Sequence, residues 1–455
     1  MVAEIIDPLE PTGQTVKKVL IVSPHFPPVN AADMQRTRLA LPYLRELGWE
    51  PTVLAVDPDS VEGAVIDAVL EKTYPDDIRV IRVHGLPSRY TRWLGIGSLW
   101  WRCGRALRLA GDQLLRREKF DLVFFSNTQF DSFTLGPLWR QRYGIPYVLD
   151  YQDPWVNDYY RDTGTRPPGG ALKFWVSQFN ARRREPKVLK KVSRIIAVSP
   201  AYGPSLQKRY PWFAASTVRT IPFGTSSLDL ETARSHEPSR KLIPFGDGHI
   251  HHVYAGRCGD DMVIALTILF RAFKRYLDSH PTEARRHRFH FIGTDYAPAP
   301  LGRERVVPVA KREGVASYVN EHCYRVPYFD ALNFLIRADA LVVIGSDDAT
   351  YSASKIYPYI LARRPLITIT HEQSQIATVM QQQRISGCYP FSQTNDIDKL
   401  AGKIQNEWFV AGGYQHGHSN PDSVLGKHGA KPMTAALVEV FDDAIHDTSS
   451  FSDKT

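Results

Sequence analysis

The sequence is organised as short apolar runs that alternate with longer segments of helical periodicity. KKVLIVSP (17–24) has the pattern of a buried strand, residues 33–48 carry apolar side chains at helical spacing, and EPTVLAV (50–56) is again strand-like. Further strands are predicted at 78–83, 121–126, 146–151, 194–199 and 218–223. This βαβ alternation predicts a parallel sheet that is covered by helices on both faces.

The alternation stops in a polar, turn-rich stretch at about 224–250 and then resumes. Strands are predicted at 251–256, 288–293, 340–345 and 365–370, and helices at 262–279 and 432–446. The predicted organisation is a tail at 1–16, an N-terminal domain at 17–228, a linker at 229–250, a C-terminal domain at 251–431 and a final helix at 432–447. The predicted fold class is α/β, with two tandem Rossmann-like parallel-sheet domains that face each other across a cleft.

Composition narrows the function only slightly. The 455 residues carry a net charge of +8, which favours anionic ligands without choosing among nucleotide phosphates, nucleic acid and an anionic membrane. No nucleic-acid-binding motif occurs, so no nucleic acid partner is expected. The four cysteines lie far apart and form no CxxC pair, which argues against a zinc site. No signal peptide or membrane-spanning run is present, so we expect a cytoplasmic protein that is soluble or peripheral at the inner face of the membrane.

Two turns of the predicted N-terminal domain carry candidate site residues. The turn SPHFPPVNAADMQR (23–36) joins the first strand to the first helix, and its small residues Asn30 and Ala31 allow a ligand to approach the backbone. His25 is suited to contact a sugar hydroxyl or a phosphate. In VLDYQDPW (148–155), Asp150 and Asp153 follow a strand and are suited to accept hydrogen bonds from a sugar or to act as a base. The structural alternatives are a helix-capping loop with a solvated histidine and an Asp-stabilised turn.

The predicted C-terminal domain offers two anion sites. In YAGRCGDDM (254–262), Gly256 opens the turn and Arg257 is placed to meet a diphosphate, while Asp260 and Asp261 are interpreted as helix caps and not as a metal pair. The second site is the turn GSDDATYSASK, and its candidate cleft residues are Asp347, Asp348, Tyr351, Ser354 and Lys355. Its structural alternative is a well-capped helix. Pro358 is best accommodated in the first turn of a helix that begins near Tyr357.

One further segment mixes aromatic and basic residues. Residues 89–117 contain Trp93, Trp100 and Trp101 together with seven arginines. The segment is suited to rest on an anionic membrane or to meet a lipid-linked acceptor. The alternative is an ordinary amphipathic helix that packs on the sheet.

The motifs together resemble those of the GT-B glycosyltransferases, in particular the retaining glycosyltransferase family 4 group. The resemblance rests on VLIVSPHFPP, YGIPYVLDYQDPW, RIIAVSPAY, YAGR and IRADALVVIGSDDATYSASKIYPYILARRPLI, which occur in the family's order and span most of residues 17–370. It implies transfer of a sugar from a nucleotide-diphosphate donor, with retained configuration and without an essential metal or other cofactor. It also implies that the final helix crosses back to the N-terminal domain.

The resemblance assigns roles to residues of this sequence. Arg257 and Lys355 are expected to hold the donor diphosphate, and Ser354 is expected to offer its amide or hydroxyl. His25 and Asp153, the candidate catalytic residues, are expected on the acceptor side. The acceptor itself is left open as a glycan, a lipid-linked intermediate or a small molecule.

The sequence also departs from the family pattern. Thr350 and Pro358 stand where the family has the two glutamates of its Glu-x7-Glu motif, and the first turn lacks the usual glycines. The lysine that usually follows the arginine of the GR pair is also missing. Two alternatives therefore stay open: another GT-B enzyme, such as a sugar-nucleotide epimerase, and a degenerate sugar-binding protein without catalysis.

Overall fold

The protein forms two parallel sheets, each covered by helices. The computed structural model describes residues 16–87, 98–158, 170–295, 297, 300–348, 356–392, 396–417 and 421–452. Within these residues, the first sheet has seven strands in the order β3-β2-β1-β4-β5-β6-β7, and the second has six in the order β10-β9-β8-β11-β12-β13. All pairings between these strands are parallel. The predicted fold class of two parallel-sheet α/β domains is confirmed.

Eleven of the thirteen described strands coincide with predicted runs, and the central ones are buried on both faces between helices. In chain order, the first sheet comprises β1 (Lys17–Val22), β2 (Trp49–Val56), β3 (Arg79–Val83), β4 (Leu122–Ser126), β5 (Tyr147–Tyr151), β6 (Arg194–Ala197) and β7 (Val218–Thr220). The second comprises β8 (Ile250–Ala255), β9 (His287–Ile292), β10 (Val319–His322), β11 (Ala340–Ile344), β12 (Leu366–His371) and β13 (Cys388–Phe391). Strands β10 and β13 were not predicted, because β10 reads VNEH, which is mostly polar, and β13 reads CYPF, which contains a proline.

Helices connect the strands of each sheet. In the first half they are α1 (Gln35–Leu44), α2 (Leu99–Arg117), α3 (Leu135–Tyr143), α4 (Ala171–Leu189), α5 (Tyr202–Arg209) and α6 (Ser227–Ser235). In the second half they are α7 (Val263–Ser279), α8 (Pro281–Ala284), α9 (Val307–Arg312), α10 (Tyr328–Arg337), α11 (Ile356–Leu361), α12 (Gln375–Gln382), α13 (Ile397–Ile404), α14 (Pro421–His428) and α15 (Ala430–Ser452). None of the described helices is long and apolar enough to cross a membrane.

Part of the segment predicted as a linker is helical. Helix α6 lies at its start and packs on α10, with Leu230 and Ala233 buried. Asp229 of α6 is also buried and receives two hydrogen bonds from Arg38 of α1, at 2.8 and 2.6 Å. The Tyr328 hydroxyl of α10 donates to the same carboxylate at 3.0 Å. This charged cluster therefore joins the first domain to the second through α6.

The last helix, α15, packs against α1 and the first sheet. The Phe441 ring lies edge-on to Trp49 at 5.3 Å and to Phe124 at 5.0 Å between ring centres. All three side chains are fully buried. The C-terminal end of the described chain is therefore part of the core beneath the N-terminal sheet.

Candidate active site

A histidine–aspartate pair lies at the carboxyl end of β1. The chain leaves the strand at Val22 and turns, and the Ser23 hydroxyl donates to the His25 carbonyl at 2.8 Å. His25 Nδ1 lies 3.0 Å from both carboxylate oxygens of Asp33, which sits in the short 3-10 turn Ala32–Met34 before α1. Because an ionised carboxylate only accepts hydrogen bonds, Nδ1 carries the proton and Nε2 is the ring nitrogen left for a ligand.

Asp33 is fixed from several sides. It is buried, and the Thr128 amide and hydroxyl donate to Oδ2 at 3.1 and 2.9 Å. The Gln152 side-chain amide donates to the Asp33 backbone carbonyl at 2.9 Å. Burial raises the pKa of Asp33, but His25 and the bonds from Thr128 outweigh burial and lower it overall. The carboxylate is therefore ionised and held in one orientation.

The protonation of His25 reflects this partner. Burial lowers the pKa of His25, the nearby Asp33 carboxylate raises it, and Arg325 lowers it, with a net increase above 6.5. Arg325 follows β10 of the second domain and is exposed. The Asn30 side-chain amide donates to the neighbouring Val326 carbonyl at 3.2 Å, so the β1 turn touches this loop directly. The loop after β10 of the second domain therefore lies beside the turn that carries His25.

Asp153 is a second acid at the same edge of the first sheet. Its side chain is exposed to solvent, although the surrounding protein partly desolvates the carboxyl group. This desolvation, together with the charge of Asp33, raises the pKa of Asp153 to about 6. Its neighbour Trp155 is buried against the rings of Phe130 and Phe133 and makes the turn rigid. The site therefore holds an imidazole and a carboxyl group whose pKa values are both raised.

Asp150 does not line the cleft, contrary to the sequence prediction. It is fully buried, and its Oδ2 accepts hydrogen bonds from Arg36 Nε at 2.9 Å, Ser126 Oγ at 2.9 Å and Gln152 Nε2 at 2.8 Å. Arg36 also donates to the carbonyl of Ile221 at 2.7 Å. Asp150 therefore supports the floor of the site by tying α1 to the ends of β4 and β5.

In the second domain, Arg257 is placed at the carboxyl end of β8 as predicted, but it pairs with Asp261. Its two terminal nitrogens each lie 2.9 Å from a carboxylate oxygen of that residue. The interpretation of Asp260 and Asp261 as helix caps is wrong, because Gly259 is the N-cap and no side chain caps this turn. Gly256 has a φ of 154° and donates its amide to Ile292 at 2.8 Å, which keeps the turn close to β9.

The turn after β11 is close to this pair. The Asp347 amide donates to the Asp261 carbonyl at 2.8 Å, and the Asp348 amide donates to Ser346 Oγ at 3.0 Å. Desolvation and the charge of Asp261 raise the pKa of Asp347. Asp347 and Asp348 therefore make this turn acidic and are unsuited to touch a phosphate.

Three predicted donor residues, Tyr351, Ser354 and Lys355, lie outside the described residues. Pro358 is the third residue of α11 as described. The next residue, Tyr359, is buried, and its hydroxyl accepts from the Ala255 amide at 2.7 Å and donates to the Ala255 carbonyl at 3.1 Å. These bonds anchor α11 at the end of β8, beside Gly256 and Arg257.

Several contributors were missed by sequence reasoning. Asp33 was interpreted only as the start of a helix, although it stands eight residues after His25 in the same turn. Thr128 follows β4 and Arg325 follows the unpredicted strand β10. Both residues could have been found from the topology, because each lies in the loop after a parallel strand whose carboxyl end faces the cleft.

Neither a metal-binding cluster nor a closed cavity was found beside His25 in the described part of the chain. No group of three or more His, Cys, Asp or Glu side chains in the described ranges is placed to hold a metal ion. A cavity of about 400 Å³ is lined by residues such as Phe120 and Ile145, at the amino edge of the first sheet. It is therefore on the side opposite to His25.

Comparisons with known proteins agree with this architecture. Residues 35–224 match the family model of a glycosyl transferase 4-like domain, which is less than half of the chain. No curated protein matches the sequence.

Solved structures match almost the whole chain at low identity. A glycosyltransferase from Rickettsia africae matches with a TM-score of 0.58 and 11% identity, covering 95% of this chain and 99% of that one. Sucrose-phosphate synthase from Thermosynechococcus elongatus gives 0.59 and 14%, covering 94% and 98%. Anabaena HepE in complex with UDP and glucose gives 0.55 and 14%, covering 94% and 99%. At these identities the similarity establishes the GT-B fold.

Proposed function

We propose that this protein is a glycosyltransferase that moves a sugar from a nucleotide-diphosphate donor to an acceptor hydroxyl. The observation that carries the proposal is the His25–Asp33 pair at the carboxyl end of β1. It lies beside the second-domain loop that carries Arg325 and whose Val326 carbonyl bonds to Asn30, and the family match over residues 35–224 supports the proposal. The pair supplies a proton acceptor on one side, and the arginine supplies a cation on the other. Such a combination suits a reaction in which a hydroxyl attacks and an anionic group leaves.

On the donor side, the proposal assigns the diphosphate to the second domain. Arg257 and Lys355 neutralise its charge, Ser354 donates a hydrogen bond, and Arg325 adds a cation from the β10 loop. Negative charge grows on the diphosphate as the sugar leaves, so fixed cations stabilise the transition state more than the ground state. HepE, which has been solved with UDP, supports a uridine nucleotide as the first donor to test. We expect these cations to serve without an essential metal.

Arg257, which is proposed to bind the diphosphate, is paired with Asp261 in the structure. Half-buried and held by two hydrogen bonds, it presents a fixed guanidinium instead of a mobile one. A donor diphosphate would compete with Asp261 for its nitrogens. The fork geometry that binds a carboxylate also binds phosphate, so the exchange requires little movement of the arginine.

On the acceptor side, His25 Nε2 takes the proton of the attacking hydroxyl. The acceptor oxygen forms a bond to the anomeric carbon, the bond from that carbon to the diphosphate oxygen breaks, and the diphosphate departs with the electron pair. Asp33 holds the imidazole in the tautomer that leaves Nε2 basic. Burial lowers the pKa of His25, but the Asp33 carboxylate raises it overall, and a higher pKa makes the neutral imidazole a stronger base. Asp153 accepts a hydrogen bond from a sugar hydroxyl beside it.

The experiment is turnover with a panel of UDP-, GDP-, ADP- and dTDP-sugars, in which release of the nucleoside diphosphate to water is measured. We expect one donor class to be hydrolysed in the presence of EDTA, and His25→Gln to lower the rate by roughly 10²- to 10⁴-fold. His84→Gln is the matched control, because His84 is exposed on the same domain. Proton NMR of the released sugar reports whether its configuration is retained.

The outcomes separate the proposal from its alternatives. Release without any effect of His25→Gln would contradict the role of the histidine. Conversion of the donor to an isomeric nucleotide sugar would indicate an epimerase. Binding of donors with no turnover of any of them would indicate a degenerate binding protein.

A further inference from the structure

The outward face of α4 exposes an unusual set of apolar side chains. Leu172 is 80% exposed, Trp175 45%, Val176 55% and Phe179 59%. Their spacing of three and four residues places them on one side of the helix. The opposite side is packed against the domain, and its buried residues are Gln178, Ala181, Glu185, Val188 and Leu189. The helix is thus fully anchored on its inner face, while its outer face presents large apolar groups to solvent.

Cations continue the same stripe toward the end of the helix. Arg183, Lys187 and Lys190 fall on the outward side and are exposed. The Arg183 guanidinium lies 5.2 Å from the centre of the Phe179 ring, and Lys190 Nζ lies 6.0 Å from that of Trp212. Trp212 is itself 49% exposed. The surface therefore runs from aromatic and aliphatic groups into a basic end that terminates in another exposed tryptophan.

This combination favours a lipid surface over a protein partner. Tryptophan and phenylalanine insert at the boundary between headgroups and acyl chains, while arginine and lysine reach phosphate groups with their charged ends. Anionic headgroups complement the cations, and the net charge of +8 acts in the same direction. A membrane requires no complementary shape, which suits a convex helix without a groove.

The position of α4 connects this surface to the cleft. The Asn157 amide donates to the Gln178 side chain at 2.8 Å, and Gln178 donates to the Trp155 carbonyl at 3.5 Å. The first half of α4 is therefore bonded directly to the turn that carries Asp153. A bilayer on the outward face of α4 would lie beside the acceptor side of the site.

We propose that the outward face of α4, comprising Leu172, Trp175, Val176 and Phe179 with the cations that follow them, docks the protein on an anionic lipid bilayer. A lipid-linked acceptor would then reach the cleft from the membrane plane. That reading of the acceptor rests on the proposed transferase function, whereas docking itself does not.

The structure describes only part of the segment 89–117, which was expected to contact a membrane. Residues 89–97, with Trp93, lie outside the described residues, and that contact stays a prediction. Helix α2, which contains most of that segment, buries Leu99, Leu107 and Leu114 against the first sheet. Its exposed large apolar residues are Trp101 and Leu109, and they do not form a run. Trp101 therefore offers a matched control, because it is a strongly exposed tryptophan on another basic helix of the same domain.

The test is cosedimentation of the full chain with vesicles of phosphatidylcholine alone or with one-third phosphatidylglycerol, at low salt and without donor. We expect binding to the anionic vesicles only, and a loss of roughly tenfold or more in the Trp175→Ser/Phe179→Ser double variant. Trp101→Ser should bind as the unmodified protein does. Arg183→Glu/Lys187→Glu should weaken binding by about fivefold or more per residue and leave folding unchanged, because both side chains are exposed.

Three results would overturn the proposal. One is failure of the unmodified protein to bind anionic vesicles. Another is loss of binding in Trp101→Ser with retention in the α4 variants, which would place the surface on α2. The third is a dimer in solution that dissociates on Trp175→Ser/Phe179→Ser, since α4 would then be a contact between two copies. Donor hydrolysis in the absence of vesicles is measured on the same variants and should not change, so that failure of docking is distinguished from failure of the transferase assignment.

Discussion

Replacing Asp33 with Asn tests the electrostatics of the site most sharply. In the protein, burial and Arg325 both lower the pKa of His25, and only Asp33 raises it. In Asp33→Asn only the lowering influences remain, so the pKa of His25 should fall below its ordinary value of 6.5. The same substitution removes a like charge from Asp153, and the pKa of that carboxyl should also fall from about 6.

The size of the catalytic effect follows from the hydrogen bonds. An asparagine has one side-chain oxygen, whereas both oxygens of the Asp33 carboxylate lie 3.0 Å from His25 Nδ1 and one of them also accepts from Thr128. If the asparagine oxygen serves Thr128, an NH₂ group takes the place of the other oxygen beside His25. A hydrogen bond to a charged group contributes about 1.5 to 3 kcal/mol. At 1.36 kcal/mol per decade, the rate should fall by roughly 10- to 150-fold.

Two measurements check this prediction. The titration of His25 is followed by NMR in protein labelled at the histidine ring carbons and assigned by comparison with His25→Gln, and donor hydrolysis is measured across pH. Asp77→Asn is the matched control, because Asp77 is an exposed partner of Arg45 outside the cleft. An unchanged pKa of His25 in Asp33→Asn, or an equal loss of rate in Asp77→Asn, would refute the reasoning.

Three further predictions concern other parts of the molecule. The rate should change with pH near the Asp153 pKa of about 6, and Asp153→Asn should abolish that change. If the change persists in the variant, it belongs to another group. Burial lowers the pKa of His252 well below 6.5 and that of His287 to about 4 in the folded protein. As the pH falls from 6.5 to about 4, the unfolded chain therefore binds protons that the folded protein does not bind. Stability to urea should therefore fall across that window, by roughly 3 kcal/mol for His287, and His252→Phe/His287→Phe should flatten the slope. Asp229→Ala leaves Arg38 buried without its carboxylate and should cost about 3 to 5 kcal/mol, whereas an unchanged melting temperature would show that the cluster does not join the domains.

The sequence predicted those features that depend on local pattern. Eleven of the thirteen described strands coincide with predicted runs, because strands that are buried on both faces of a parallel sheet are rich in apolar residues. The exceptions, β10 and β13, are short and mixed in composition. Helix α6 was not predicted, because it lies in a polar segment and its only buried apolar side chains are Leu230 and Ala233.

The candidate site was predicted less completely, because burial and pairing are tertiary properties. Asp150 has the residue type and the strand position of a cleft residue, yet Arg36 on α1 reaches over the sheet edge and covers it. Arg257 was placed correctly, but its bond to Asp261 depends on the short turn after β8. Arg325 comes near His25 only through the approach of the two domains, which no local pattern encodes.

The central claim is that the cleft binds a nucleotide-diphosphate sugar through cations of the second domain. Its most direct test is calorimetric titration of the protein, and of Arg325→Ala and Lys355→Ala, with UDP-, GDP-, ADP- and dTDP-sugars. We expect one donor class to bind and each substitution to weaken its binding by roughly tenfold, since a charge-assisted hydrogen bond contributes about 1.5 to 3 kcal/mol. Binding of no donor, or binding that both variants retain in full, would contradict it.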